Sequence, residues 1–293
     1  MMYISNDFKV LQEDICSQLS AADDGIPFVT DTWTRPEGGG GRSMVLNGKK
    51  IEKGGVMFSA VEGTLGEKAA QGLGIPPGTF YATGVSIVLH PANPFSPIIH
   101  MNVRYFEMDH GLWWFGGGID LTPHYIDKED AGFFHRGLKE VCDRHDLGFY
   151  PKFKSWADDY FFLPHRNETR GVGGIFFDRL VGAKNNTKES TFDFVREVGG
   201  AFCGLYVPIL AKTCDLPFSE KNKEWQHLRR GRYVEFNLVW DKGTKFGLET
   251  NGRTESILVS MPPMACWKYD FRVDQHSPEE ATLSQLKKGI DWI

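Results

Sequence analysis

Three stretches near the middle of the chain constrain its architecture more than any other part. YATGVSIVLH (residues 81–90) alternates, with Val85, Ile87 and Leu89 on one side and Ser86, Val88 and His90 on the other. IIHMNVRYFEM (98–108) alternates again: Ile99, Met101, Val103 and Tyr105 share one face, and His100, Asn102, Arg104 and Phe106 share the other. Between them PANPFSP (91–97) places three prolines in seven residues and breaks the strand. MDHG (108–111) then turns the chain into LWWFGGG (112–118). Such short connections between period-two runs read as three consecutive antiparallel strands.

Around this block, apolar residues recur at helical spacing. Helices are expected over 7–20 (Phe8, Leu11, Ile15, Leu19), 128–145 (Phe134, Leu138, Val141, Cys142) and 151–162 (Phe153, Trp156, Tyr160). Further helices are expected over 190–212, 219–229 and 278–289, and further strands over 43–46, 56–62, 233–241 and 256–261. RPEGGGGRS (35–43) and KFGLETNGR (245–253) read as glycine-rich loops. Strands run in blocks instead of alternating with helices, which favours α+β with an antiparallel sheet over a doubly wound parallel one.

Composition narrows the class. With 41% hydrophobic and 24% charged residues the chain is an ordinary globular sequence, and 293 residues can bury a sizeable core. A net charge of −5 gives no argument for nucleic acid or an anionic membrane as partner. The start lacks a signal-type segment, and apolar runs such as AFCGLYVPILA (201–211) are short for a bilayer crossing. Five scattered cysteines without a C-x-x-C pair read as reduced thiols. A cytoplasmic chain with no transmembrane segment is the expectation.

The polar faces of the middle strands carry the candidate chemistry. Two adjacent strands presenting Ser86, His90, His100, Asn102 and Arg104 look more like a pocket floor than a wetted surface. Arginine on a strand suits capture of a carboxylate or phosphate. Asp120, just after Gly116–Gly118, is either a turn cap or a carboxylate beside an aromatic wall. His90, His100, His135 and His165 admit a metal reading or an acid–base and structural one, since no short metal motif is present. Four glycine-rich segments (38–41, 116–118, 171–174, 247–253) match no phosphate-binding fingerprint, yet bare backbone allows a large flat ligand to approach. Basic residues lie beside them: Arg35 and Arg42, Arg166 and Arg170, Arg229, Arg230 and Arg232, and Arg253. They form either a solvated face or a site for a multiply anionic ligand.

Long blocks of this sequence resemble the oxygen-dependent coproporphyrinogen-III oxidases: WTRPEGGGGRS (33–43), GVSIVLHPANPFSPIIHMNVRYFE (84–107), WWFGGGIDLTPHY (113–125), HRNETRGVGGIFFD (165–178) and RRGRYVEFNLVWDKGTKFGLETNGRTESILVSMPP (229–263). The resemblance covers about residues 7–270. It implies one domain over 1–293, a large flat antiparallel sheet sandwiched between helices, and a homodimer formed through 233–268. It implies oxidative decarboxylation of two propionates of coproporphyrinogen III to vinyl groups, giving protoporphyrinogen IX in haem biosynthesis. Dioxygen is the co-substrate, carbon dioxide and hydrogen peroxide are released, and no organic cofactor or obligatory metal is implied. Carried over residue by residue, His100 is a proton donor, Asp120 and Arg104 hold the pyrrole and the propionate, and Ser86, Asn102, Val103, Arg104, Asn251, Gly252 and Arg253 bind substrate. His90, His100, His135 and His165 match histidines to which a divalent metal is assigned in some members. The sequence departs from the family pattern at Met57, Lys242 and Asn251, where asparagine, arginine and glycine are usual.

Overall fold

A computed structural model describes residues 2–183, 187–249 and 252–293. Its centre is a seven-stranded, wholly antiparallel sheet in which spatial order follows chain order. The strands are β1 (Val29–Thr34), β2 (Gly39–Leu46), β3 (Ile51–Leu65), β4 (Gly78–Pro91), β5 (Ile98–Met108) and β6 (Trp113–Thr122), with β9 at the far edge. Before that edge strand, β7 (Phe162–Leu163) and β8 (Glu168–Thr169) form a separate ribbon, and β9 spans Gly173–Leu180. The helices are α1 (Met2–Ala22), α2 (Glu67–Leu73), α3 (Lys128–Asp143), α4 (Phe149–Tyr160), α5 (Lys188–Gly200), α6 (Phe202–Thr213), α7 (Glu220–Glu235), α8 (Lys242–Glu249), α9 (Thr254–Leu258) and α10 (Pro278–Gln285). A π turn over Phe236–Trp240 continues α7. This is an α+β fold.

The alternation read in the sequence becomes two different faces. Val85, Ile87, Leu89, Ile99, Met101, Val103, Phe115, Ile119, Ile175 and Phe177 are buried together against α1, α3, α4, α5 and α6. The register Ser86–Asn102–Gly118–Phe176 and Val88–His100–Asp120–Gly174 runs across the second face. Residues 220–268 cross that face: Ser260 O accepts from His90, Met261 O from Lys53, and Val259 lies against Gly55. Helices therefore cover both sides of the sheet, one with an apolar interface and the other with a largely polar one.

Several expected elements differ. The glycines at 39–41 and 116–118 lie inside strands β2 and β6, because neighbours occupy the space a side chain would take. A Cβ on Gly41 would come within 2.4 Å of the Trp33 ring, and one on Gly117 within 2.8 Å of Phe177. Residues 233–241 and 256–261, expected as strands, are helical, π-helical or turn. Their alternating apolar residues satisfy a helix instead: Tyr233, Phe236 and Asn237 share one buried stripe. The expected helix 190–212 is two helices meeting at Ala201. Lys188–Thr213 is long and apolar enough to cross a bilayer by composition, but Phe192, Phe194, Val195, Val198 and Phe202 belong to the core.

Because β2 fits under the Trp33 ring only without a side chain, Gly41→Ala should destabilise the fold by about 1–3 kcal/mol. Gly204→Ala, at an exposed helical position with nothing within 4 Å of the added carbon, should cost nothing or stabilise by up to about 1 kcal/mol. Urea unfolding of the two variants measures both effects, and equal stabilities would contradict the assigned packing.

Candidate active site

The polar side of the sheet centres on a buried carboxylate. Asp120 is 1% exposed. Its Oδ1 accepts from His100 Nδ1 at 2.8 Å, and Arg170 NH2 donates to both oxygens at 2.8 and 2.9 Å. The strand register makes the first contact inevitable, since His100 and Asp120 are directly paired across β5 and β6. Arg170 arrives from the turn between β8 and β9. Its guanidinium sits 4.4 Å from the Phe161 ring centroid and 4.6 Å from those of Tyr233 and Phe236, and its NH1 donates to Asn237.

Burial pushes the Asp120 carboxyl up, but the Arg170 charge and the His100 hydrogen bond outweigh it and hold the group below its usual value. Asp120 is thus an anion with both oxygens engaged. Pairing with a carboxylate makes His100 Nδ1 the donor and leaves Nε2 as the nitrogen that can meet a ligand. The His100 side chain keeps 21% of its surface exposed.

From this centre a polar row leads across the sheet. Ser43, Met57, Ser86, Asn102 and Gly118 are successive register partners on β2 to β6. Arg104 stands beside the row, donating to Asn102 Oδ1 and Asp178 Oδ1 at 2.7 Å each, and lies over Gly116. A Cβ there would fall 2.7 Å from the guanidinium. At the other end Arg253 donates to Asp31, with its NH1 3.3 Å from Ser43 Oγ and Ser256 Oγ. Three strand spacings separate Ser43 from Asn102, roughly 14 Å. Val103 points to the opposite, apolar face and is fully buried, so its side chain cannot touch a ligand on this row. Gly252 N–H donates to Gly247 O. Asn251 lies outside the described residues.

Of the three consecutive aromatics, Trp114 alone shares the polar face. It stacks on Phe106 with centroids 4.3 Å apart, under Arg179. Trp113 and Phe115 belong to the helical side, where Trp113 meets Lys188 and Phe115 meets Phe192.

The four histidines matched to a metal site are not gathered. His90 is fully buried, its Nε2 donating to Ser260 O and its ring set edge-on to Tyr233. His135 lies on α3, behind the sheet, with Nε2 donating to Val172 O and Nδ1 bonded to Tyr150. His165 bonds Glu235 and Trp240 outside the ribbon. Among the described residues no group of three or more His, Cys, Asp or Glu side chains is placed to hold a metal ion. Their partners tie His90 and His135 into the fold at separate places.

Arg170 was noted in the sequence only as one basic residue beside a glycine loop. No local pattern gives it weight, because its partners lie 50 and 67 residues away. The one available signal was its place directly before GVGG, where Gly171, Gly173 and Gly174 let β9 pass close to β6 and Asp158.

A family model described as coproporphyrinogen III oxidase matches residues 3–292. Over 298 residues the chain is 48% identical to the chloroplastic oxygen-dependent coproporphyrinogen-III oxidase of Glycine max, covering 96% of this chain and 77% of that protein. It is 49% identical to the mitochondrial oxygen-dependent coproporphyrinogen-III oxidases of Homo sapiens and Mus musculus, again over 96% of this chain. The chain spans 65% and 66% of the length of these two mammalian proteins.

Removing Arg170 leaves Asp120 as an uncompensated buried charge. Arg170→Met should therefore cost about 3–5 kcal/mol of stability by denaturant unfolding; a loss below about 1 kcal/mol would contradict the pairing.

Burial lowers His90 to about 3 and His135 to about 4, from an ordinary 6.5. The unfolded chain then binds more protons below pH 6.5. Their contribution to stability is full above that value and is lost as pH falls toward 4 and then 3. Each histidine accounts for about 1.4 kcal/mol per pH unit in that window. Unfolding measured from pH 6.5 to 5 should show His135→Gln reducing the slope by one proton's worth, and an unchanged slope would contradict the assignment.

Proposed function

The chain belongs to the coproporphyrinogen III oxidase family, and on that premise we propose that it oxidatively decarboxylates two propionates of coproporphyrinogen III to vinyl groups. The product is protoporphyrinogen IX of haem biosynthesis; dioxygen is consumed, and carbon dioxide and hydrogen peroxide leave. The observation that carries this reading is one row across the sheet holding Ser43, Ser86 and Asn102 with Met57 between them, an arginine near each end, running beside a buried anion that orients a histidine. A flexible tetrapyrrole with four carboxylates needs such spaced cations. Arg104, half-exposed on its strand, would anchor the reacting propionate, and Arg253 would meet a distal one. Ser86 and Asn102 would line the floor.

Asp120 was expected to accept the pyrrole N–H directly. Its oxygens are held by His100 and Arg170, so we assign it a positioning role: it fixes the His100 tautomer and stabilises positive charge on that ring or on the adjacent pyrrole. His100 Nε2 is then the group that exchanges a proton with the reacting centre. The electron-rich pyrrole activates the adjacent side chain, and the two electrons that reduce dioxygen come from the propionate as its β C–H and its bond to the carboxylate break, so the reaction as proposed calls on no flavin or haem. A second copy of the chain is the proposed partner. Leu238, Val239, Trp240, Met264 and Trp267 are exposed in the 233–268 segment, an apolar concentration suited to a homodimer.

The test is dioxygen uptake and peroxide release by the purified protein supplied with coproporphyrinogen III, before and after chelation. Uptake that survives chelation supports the reading; uptake abolished by it would favour a metal-dependent oxygenase, and none at all a tetrapyrrole-binding module. His100→Gln should keep the fold and lose about 10²–10³ in kcat. Arg104→Ala should raise KM, lower kcat or both. Wild-type kinetics in either variant would remove that residue from the site.

A further inference from the structure

Beside Arg104 the edge strand β9 departs from its regular course. Phe115 pairs with Leu180 and Gly117 with Phe177, so Asp178 and Arg179 together stand opposite the single Gly116. This is a β-bulge, a device that re-aims side chains next to functional sites. Arg179 takes the left-handed conformation, φ 49°, which is uncommon for a residue with a side chain. Successive residues of a regular strand face opposite sides. Here Asp178 reaches Arg104 and Arg179 lies over Trp114, both on the polar face. Leu180 returns to the apolar core.

Arg104 is thereby held by two partners. Its NH1 donates to Asn102 and its NH2 to Asp178, at 2.7 Å each. Its Nε, NH2 and Cζ stand 2.7, 2.7 and 2.8 Å from where a Cβ on Gly116 would be, so the guanidinium lies over bare backbone. Among the described residues these bonds use two of the five N–H groups of the guanidinium. The others are left for a carboxylate. The Arg104 and Asp178 side chains are 37% and 38% exposed. An ion pair so exposed contributes little to stability, so the fold has small need of Asp178.

An arginine that anchors a reacting propionate meets a difficulty of its own. The side chain enters as an anion and leaves without charge. Overall, a β-hydrogen and its electron pair pass to dioxygen, and the pair of the bond to the carboxylate becomes the second bond of the vinyl group. Carbon dioxide departs neutral, and dioxygen becomes hydroperoxide, which takes its last proton from water. A contact with the carboxylate that is lost in this step stabilises the reactant more than the transition state, and so slows it. It also leaves the guanidinium unpaired beneath a bound macrocycle, where a lone charge is costly. We propose that Asp178 is a positioning residue that takes Arg104 back as the carboxylate leaves. Its like charge weakens the hold on the incoming propionate, and its oxygens accept the N–H groups that carbon dioxide frees. Arg104 is then never without an anion. The inference rests on the proposed function, in which Arg104 anchors the reacting propionate.

Asp178→Asn keeps the size of the side chain and removes its charge. If Asp178 merely braced Arg104, its loss would raise KM. The exchange predicts a different pattern. KM for coproporphyrinogen III should fall about two- to fivefold, the worth of one exposed ion pair. In the same variant kcat should fall about tenfold, the worth of one charge-assisted hydrogen bond. Asp178→Glu restores the charge and should recover most of the lost kcat. Coproporphyrin III, the oxidised macrocycle with the same four carboxylates, cannot react and reads binding alone. Fluorescence titration should show Asp178→Asn binding it about two- to fivefold more tightly than wild type. A folded Asp178→Asn with raised KM, with unchanged kcat or with weaker binding of coproporphyrin III would overturn the proposal. Wild-type protein that takes up no dioxygen would instead refute the proposed function. That result is distinct from failure of the inference alone, in which wild type and Asp178→Asn turn over equally well.

Discussion

The ion pair between Asp120 and Arg170 is where the two halves of this molecule meet. Asp120 is placed by the sheet, through its register with His100 on one side and Gly174 on the other. Arg170 is placed by everything that packs over the sheet: Phe161 at the end of α4, Tyr233 on α7 and Phe236 in the π turn. Removing two charges from water costs several kcal/mol per ion, and replacement by well-packed apolar residues is often neutral or stabilising. The pair is therefore a poor device for stability and a good one for position. It turns a carboxylate into a fixed anion and aims His100, whose side chain remains partly exposed.

The apolar side of the sheet, with Val85, Ile87, Leu89, Met101, Val103, Ile119 and Phe177 packed under five helices, provides the rigidity that such positioning needs. The polar side carries Asp120, His100 and the arginines. Its glycines serve the protein's own side chains more than a ligand's, since Arg104 lies over Gly116 and Phe176 packs beside Gly118. Those glycines allow Arg104 to lie low, and Asn102 and Ser86 continue the same face across the neighbouring strands.

The sheet was legible because period two with one apolar face has a single physical solution, and β4 to β6 follow it. The polar face was legible for the same reason. Glycine runs misled: a missing side chain looks the same in a loop as in a strand whose neighbours claim the space, and only Trp33 or Phe177 in place tells them apart. Residues 233–241 misled because Val234, Phe236, Leu238 and Trp240 alternate as in a strand, whereas the stripe the fold buries around Arg170 is Tyr233, Phe236 and Asn237 at helical spacing. Arg170 itself was invisible as a functional group, since its meaning lies wholly in long-range contacts with Asp120 and Asn237. Of the two readings the sequence left open for Asp120, the turn cap is not realised, since its oxygens are engaged by His100 and Arg170. Which of the three aromatics shares the polar face depends on β6 running unbroken through its glycines, which puts Trp114 there.

The central claim is that Asp120, held anionic by Arg170, fixes His100 with its proton on Nδ1 and leaves Nε2 for the reacting centre. Nitrogen-15 NMR of the protein labelled at histidine reads this directly. The account predicts that at neutral pH the His100 resonances are those of a ring protonated at Nδ1, and that Asp120→Asn abolishes this preference. A His100 protonated at Nε2 alone, or a tautomer indifferent to Asp120→Asn, would contradict it.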